Sequence, residues 1–171
     1  MNRGNLDSKN QQELYSQRLE RQKEASQCSH DSVLEELVKK AEVGGWKIQK
    51  HMGREAGIDL KLERNNRIVV IEAVGERPDQ PNITGRVKMA LGAIILDMKN
   101  EETENEYRYC LAFPATPAFT KYQIPRKPRK QLQVNIIFVE CSSGLLKVLL
   151  PDGKDTEDGI DLSSFDELFQ V

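Results

Sequence analysis

No CxxC pair, no close cluster of cysteine and histidine, and no long apolar run occurs in these 171 residues. The two histidines, His30 and His51, and the three cysteines, Cys28, Cys110 and Cys141, are too dispersed for a structural zinc site, whose ligands come at short paired spacings. Cys110 and Cys141 lie within apolar runs and read as buried thiols of an intracellular protein. No segment approaches the roughly 18 apolar residues of a membrane helix, and MNRGNLDSKN lacks the apolar centre of a signal peptide. Neither a span nor secretion is therefore expected. An excess of one charge is also missing: 25 Lys and Arg face 27 Asp and Glu, a net charge of −2. That excludes a chain that is a polycation throughout, so any nucleic-acid surface must be a local patch.

With 38% apolar and 30% charged residues, the chain has the make-up of one ordinary globular domain with additional terminal segments. Three parts are expected. Residues 1–29 are polar, and QQELYSQRLERQKEA within them suits either a helix or a frayed arm. Residues 30–151 carry the periodic patterns of a folded α/β domain. Residues 152–171 form an acidic tail whose SSFDELF suggests a short amphipathic helix. The tail's Leu162, Phe165, Leu168 and Phe169 could dock on the chain's own sheet, fold against a protein partner, or bring the acidic residues over the basic RKPRK segment.

Within the domain, HDSVLEELVKKAEVGGW has apolar residues at helical spacing and a glycine stop. WKIQKHM, DLKLER and RIVVIEAV read as three strands, the last two joined by Asn65-Asn66, a pair that tolerates the positive φ of a two-residue hairpin. ITGRVKMALGAIILDMK reads as a helix with Val87, Ala90, Leu91, Ile94, Ile95 and Met98 inward. YRYCLAFP follows as a strand, PAFTKYQIP as a short helix, RKPRKQLQ as a basic linker, and NIIFVECSSGLLKVLLP as two strands around Ser142–Gly144. A helix between strands permits a right-handed crossover, so a central mixed sheet flanked by helices is expected.

The hairpin has a chemical consequence. With Asn65-Asn66 in the turn, Arg64 pairs with Arg67, Leu60 pairs with Ile71, and Asp59 falls opposite Glu72. Directly opposed Cβ atoms lie roughly 4.5–5.5 Å apart, so two anions there need solvation, a neighbouring cation or a divalent metal. Gly57-Ile58-Asp59, thirteen residues to Glu72, and then Ala73-Val74-Gly75 resemble the core of the PD-(D/E)xK, or restriction-endonuclease-like, nuclease superfamily. The likeness extends over roughly residues 31–150 through the order of elements.

The resemblance implies Mg²⁺ or Mn²⁺ held by Asp59, Glu72 and the Ala73 carbonyl, with Glu36 (or Glu35) as an added first-helix carboxylate. It implies hydrolysis of phosphodiesters, with DNA the favoured partner and a homodimer common among enzymes that cut both strands. Val74 departs from the family pattern, which has a lysine there, and Ala93 stands where many relatives carry glutamine. Lys88 on the second helix is the preferred replacement cation, with Arg86 beside it and Lys61 as runner-up. Lys121, Arg126, Lys127, Arg129 and Lys130 around Tyr122 form a proline-stiffened basic cluster suited to phosphate contacts. A nuclease, an inactive nuclease-fold module that binds nucleic acid or a protein, and an unrelated α/β domain all remain compatible with these letters.

Overall fold

A computed structural model of the chain describes residues 28–50, 58–77, 82–98, 104–120, 124–151 and 159–170. Residues 1–27 of the N-terminal arm, Lys121, Tyr122 and the first part of the acidic tail lie outside them.

Helix α1 spans His30–Val43. Ser29 caps it, accepting from the Ser32 amide at 3.2 Å, and Gly44 and Gly45 close it, the latter at φ 68°. Strands β1 (Lys47–Lys50), β2 (Leu60–Arg64) and β3 (Arg67–Ala73) form an antiparallel meander. Asn65 and Asn66 occupy the β2–β3 turn at φ 49° and 60°, so the expected register is the observed one, from Arg64 opposite Arg67 to Leu60 opposite Ile71.

Helix α2 (Ile83–Asp97) then carries the chain to β4 (Glu106–Pro114), which pairs in parallel with β3. Helices α3 (Pro117–Thr120) and α4 (Arg126–Leu132) lead to β5 (Val134–Glu140), parallel to β4. Strands β6 (Leu145–Leu149) and β7 (Ile160–Asp161) return antiparallel, and a 3₁₀ turn, Phe165–Phe169, ends the described chain. The result is an α/β fold: a seven-stranded mixed sheet in sequential order with helices on its faces.

Each face of the sheet has its own core. Leu60, Leu62, Val69 and Ile71 pack with α1, Trp46 and the 3₁₀ turn; Ile68, Val70, Val74, Leu111 and Phe113 pack with α2 and Phe119 of α3. Strand β3 is apolar on both faces because β2 and β4 flank it and both faces are covered.

Three sequence expectations need correction, and the tail adopts the first of its alternatives, docking on the chain's own sheet. RKPRKQLQ is helical from Arg126 to Leu132 rather than a linker: Pro128 falls in the first turn, where a missing N–H costs nothing. Ile95 is 44% exposed instead of inward. Cys141 is bonded to Cys28 across 113 residues, with Cα atoms 5.6 Å apart, whereas Cys110 is a buried free thiol as expected. The C-terminal segment supplies β7, and Leu162, Phe165, Leu168 and Phe169 are buried in the α1-side core, so these four residues offer no apolar side to a partner. Asp166 pairs with Arg64 at 2.9 Å and Arg67 at 3.3 Å, and Trp46 stacks on Phe169 with ring centres 6.2 Å apart.

Candidate functional site

The parallel strands β3, β4 and β5 end at the same side of the sheet, and the chain after Ala73 crosses the entry of α1 there. Gly75 makes this crossing possible. A Cβ at residue 75 would lie 1.8 Å from the His30 nitrogen and 2.3 Å from the Ser29 carbonyl carbon, so only glycine fits. The Glu76 amide donates to the Cys28 carbonyl at 3.0 Å, and the Cys28–Cys141 bridge ties the same segment to the β5–β6 turn. These contacts set His30, the first residue of α1, over the end of the hairpin.

Asp59 and Glu72 converge as the register requires. The Asp59 amide donates to Glu72 Oε2 at 3.3 Å, and the Ala73 amide donates to Asp59 Oδ2 at 2.8 Å, so each carboxylate is tied to the backbone of the opposite strand. His30 Nε2 lies 3.1 Å from Asp59 Oδ2, and His30 Nδ1 lies 3.3 Å from Asp31 Oδ1, which puts a carboxylate at each ring nitrogen. The hydrogen bond to Asp59 raises the His30 pKa above its usual value, against the opposing effect of burial. Glu72 is pushed up to about 8, first by burial and then by the charge of Asp59. Burial and the neighbouring Asp59 charge both favour the protonated form of Glu72.

Beside the pair opens a cleft of about 560 Å³ lined by His30, Glu72, Ala73, Arg77, Arg86 and Met89 among others. Arg86 donates to the Gly75 carbonyl, and its guanidinium sits 5.8 Å from the centre of the Phe119 ring. Glu76 accepts from the Thr116 hydroxyl at 2.7 Å, linking the loop after β3 to that after β4.

Among solved structures, one that the chain matches is an XisH family protein from Nostoc punctiforme. It is 20% identical, with a TM-score of 0.44, and the match covers 68% of this chain and 94% of that one. No protein-family model matches the sequence, and no curated protein matches it.

The other sequence candidates are distributed as follows. Arg86 lines the cleft, but Lys88 is solvent-exposed on α2 and does not. Glu36 is paired with Lys39 at 2.5 Å and reaches toward Gly144 in the β5–β6 turn, so it does not join Asp59 and Glu72. Arg129 is buried and donates to the Leu150 carbonyl at 3.2 Å, which removes it from the basic surface; Arg126, Lys127 and Lys130 remain exposed on α4, away from the cleft lining. Val74 is buried with Val87, Leu111 and Phe113 and also borders the cleft, to which it brings only an apolar group.

His30, Asp31, Glu76 and Arg77 are charged or titratable cleft residues that were not among the sequence candidates. The weak signal for His30 was its place beside the Ser29 cap, combined with a glycine at residue 75 that implies close backbone approach.

Two converging carboxylates are oxygen donors of the kind a hard cation takes, the remaining positions falling to water or phosphate oxygens. Among the described residues no third His, Cys, Asp or Glu side chain completes a metal-ligand group. A hard cation there would have two side-chain ligands among the described residues, Asp59 and Glu72.

The raised Glu72 pKa has a consequence for stability. Unfolded, a glutamate loses its proton near 4.5; folded, Glu72 keeps it to about 8. Between those values the unfolded state binds fewer protons, so stability falls as pH rises, and the raised pKa of His30 acts in the same direction. Glu72→Gln is expected to remove a loss on the order of 2 kcal/mol between pH 5 and 8.5, allowing for solvent screening of the partly exposed group. Urea melts of both proteins in EDTA at the two pH values check this; parallel losses in the two proteins would contradict it.

Proposed function

We propose that the chain is a metal-dependent nuclease of the PD-(D/E)xK type that hydrolyses phosphodiester bonds of DNA. The observation that carries the reading is the convergence of Asp59 and Glu72 at the end of the β2–β3 hairpin, beside a cleft that also receives Arg86. Asp59, Glu72 and the Ala73 carbonyl would hold Mg²⁺ or Mn²⁺. Such an ion lowers the pKa of a water molecule and offsets phosphate charge. Arg86 is suited to receive a non-bridging phosphate oxygen, since a guanidinium presents several donors in one plane. The exposed Arg126, Lys127 and Lys130 would add sequence-independent contacts to the DNA backbone, with affinity falling as salt rises. Two copies of the site would be needed to cut both strands at once, which makes a homodimer part of the reading.

One observation favours a second reading, an inactive nuclease-fold module that binds nucleic acid. Val74 occupies the family's lysine position and is packed in the core, so β3 supplies no cation to the cleft. One experiment separates the two. Supercoiled and single-stranded DNA and RNA are incubated with the protein in Mg²⁺, Mn²⁺ or EDTA, beside Asp59→Ala and Glu72→Ala. Metal-dependent cleavage that drops at least 100-fold in both variants is expected. Binding without cleavage, unaffected by metal, would establish the module instead.

A further inference from the structure

If the cation of the family pattern is missing from β3, whatever steadies the carboxylates has to come from another element. His30 meets that requirement in three respects. Its Nε2 contacts the same atom, Asp59 Oδ2, that accepts the Ala73 amide, so two donors of fixed position converge on one oxygen. The ring is carried on the first residue of α1, whose entry is held by the Ser29 cap, by the Glu76–Cys28 backbone bond and by the Cys28–Cys141 bridge. Gly75 then lets the loop after Glu72 pass against the His30 backbone, closer than any side chain would allow.

Both donors fall on Oδ2. Asp59 is thus held at one oxygen by groups from two different elements, the amide of Ala73 and the ring of His30.

We propose that His30 is a positioning residue of this site: through Nε2 it holds Asp59 from α1 while the Ala73 amide holds it from β3, and so prepares the carboxylate to receive a divalent metal ion. The inference rests on the metal reading of the Asp59–Glu72 pair. A ligating carboxylate held by hydrogen bonds loses less freedom when it binds, and loss of such an outer partner commonly weakens metal affinity by about 10- to 100-fold. His30 thereby gives Asp59 a side-chain partner from α1, where residue 74 brings only an apolar group.

The test is metal affinity, which does not require activity. Mn²⁺ binding is measured by calorimetry on the full chain and on Asp59→Ala, His30→Ala and His30→Gln, with a urea melt of each to verify folding. Expected are measurable binding in the parent, loss of it in Asp59→Ala, a roughly 10- to 100-fold weaker Kd in His30→Ala, and substantial recovery in His30→Gln, which retains a side-chain N–H. If the parent binds no Mn²⁺, or Asp59→Ala binds it equally well, the metal reading itself fails and the inference with it. If binding depends on Asp59 but His30→Ala has an unchanged or tighter Kd, the metal reading survives and the positioning role is overturned; a tighter Kd would mean that the ring competes with the ion.

Discussion

Replacing Cys28 and Cys141 together by serine is expected to lower the unfolding free energy by about 4–5 kcal/mol. The bridge spans 113 residues, so it removes much of the freedom of the unfolded chain; for a loop of about that length the chain-entropy model gives nearly 5 kcal/mol. For a protein of this size the melting temperature should fall by roughly 10–20 °C. A dithiol reductant added to the parent should reproduce the shift and leave the double variant unaffected. Coincident melts of oxidised parent, reduced parent and variant would contradict the expectation. Cys110 provides an internal control. Its thiol is buried within the sheet, and burial pushes its pKa up to about 12, so alkylation at Cys110 should report unfolding rather than reduction of the bridge.

Gly75→Ala is the second large expectation, at about 3 kcal/mol of destabilisation. The added methyl group would meet the backbone at Ser29 and His30 rather than the end of a flexible side chain, so the entry of α1 must shift to admit it. Gly92→Ala on α2 is the matched comparison. Nothing lies within 4 Å of its added Cβ, and alanine in a helix interior is favoured over glycine by about 1 kcal/mol, so that variant should gain stability. Urea melts of the two variants decide the matter: equal shifts, or a neutral Gly75→Ala, would show that the close approach is relaxed at little cost. The ring protons of His30 provide a second measurement. Their chemical shifts should move in Gly75→Ala and stay unchanged in Gly92→Ala.

Much of the hairpin was legible in the letters, because a turn that accepts only a few residue types and a strict alternation of side chains both act over neighbouring residues. Asn65-Asn66 and the Leu60, Leu62, Val69, Ile71 face set the pairing together, and the placement of Asp59 against Glu72 followed from it. Features that depend on distant residues meeting were not legible. Nothing near Cys28 in the sequence points to Cys141, and nothing near His30 points to Asp59; the fold brings both pairs together where α1 begins. The basic run was misread for a local reason, since Pro128 suggests a break unless its position in the first helical turn is known. Arg129 then points inward to Leu150, although its neighbours stay in solvent. Lys88 and Arg86 are two residues apart on one helix, yet only Arg86 lines the cleft, a matter of helical phase that charge alone does not reveal.

The left-handed conformation at Asn65 and Asn66 governs more than local shape. Successive side chains of a strand alternate between its faces, so one residue inserted at that bend would rotate the whole of β2 by half a turn relative to its neighbours and send Asp59 toward α1's core. The meeting of Asp59 and Glu72 at one end of the hairpin is thus hostage to the geometry of a solvent-exposed bend at the other, and a length change there would part them without altering any residue that touches the cleft.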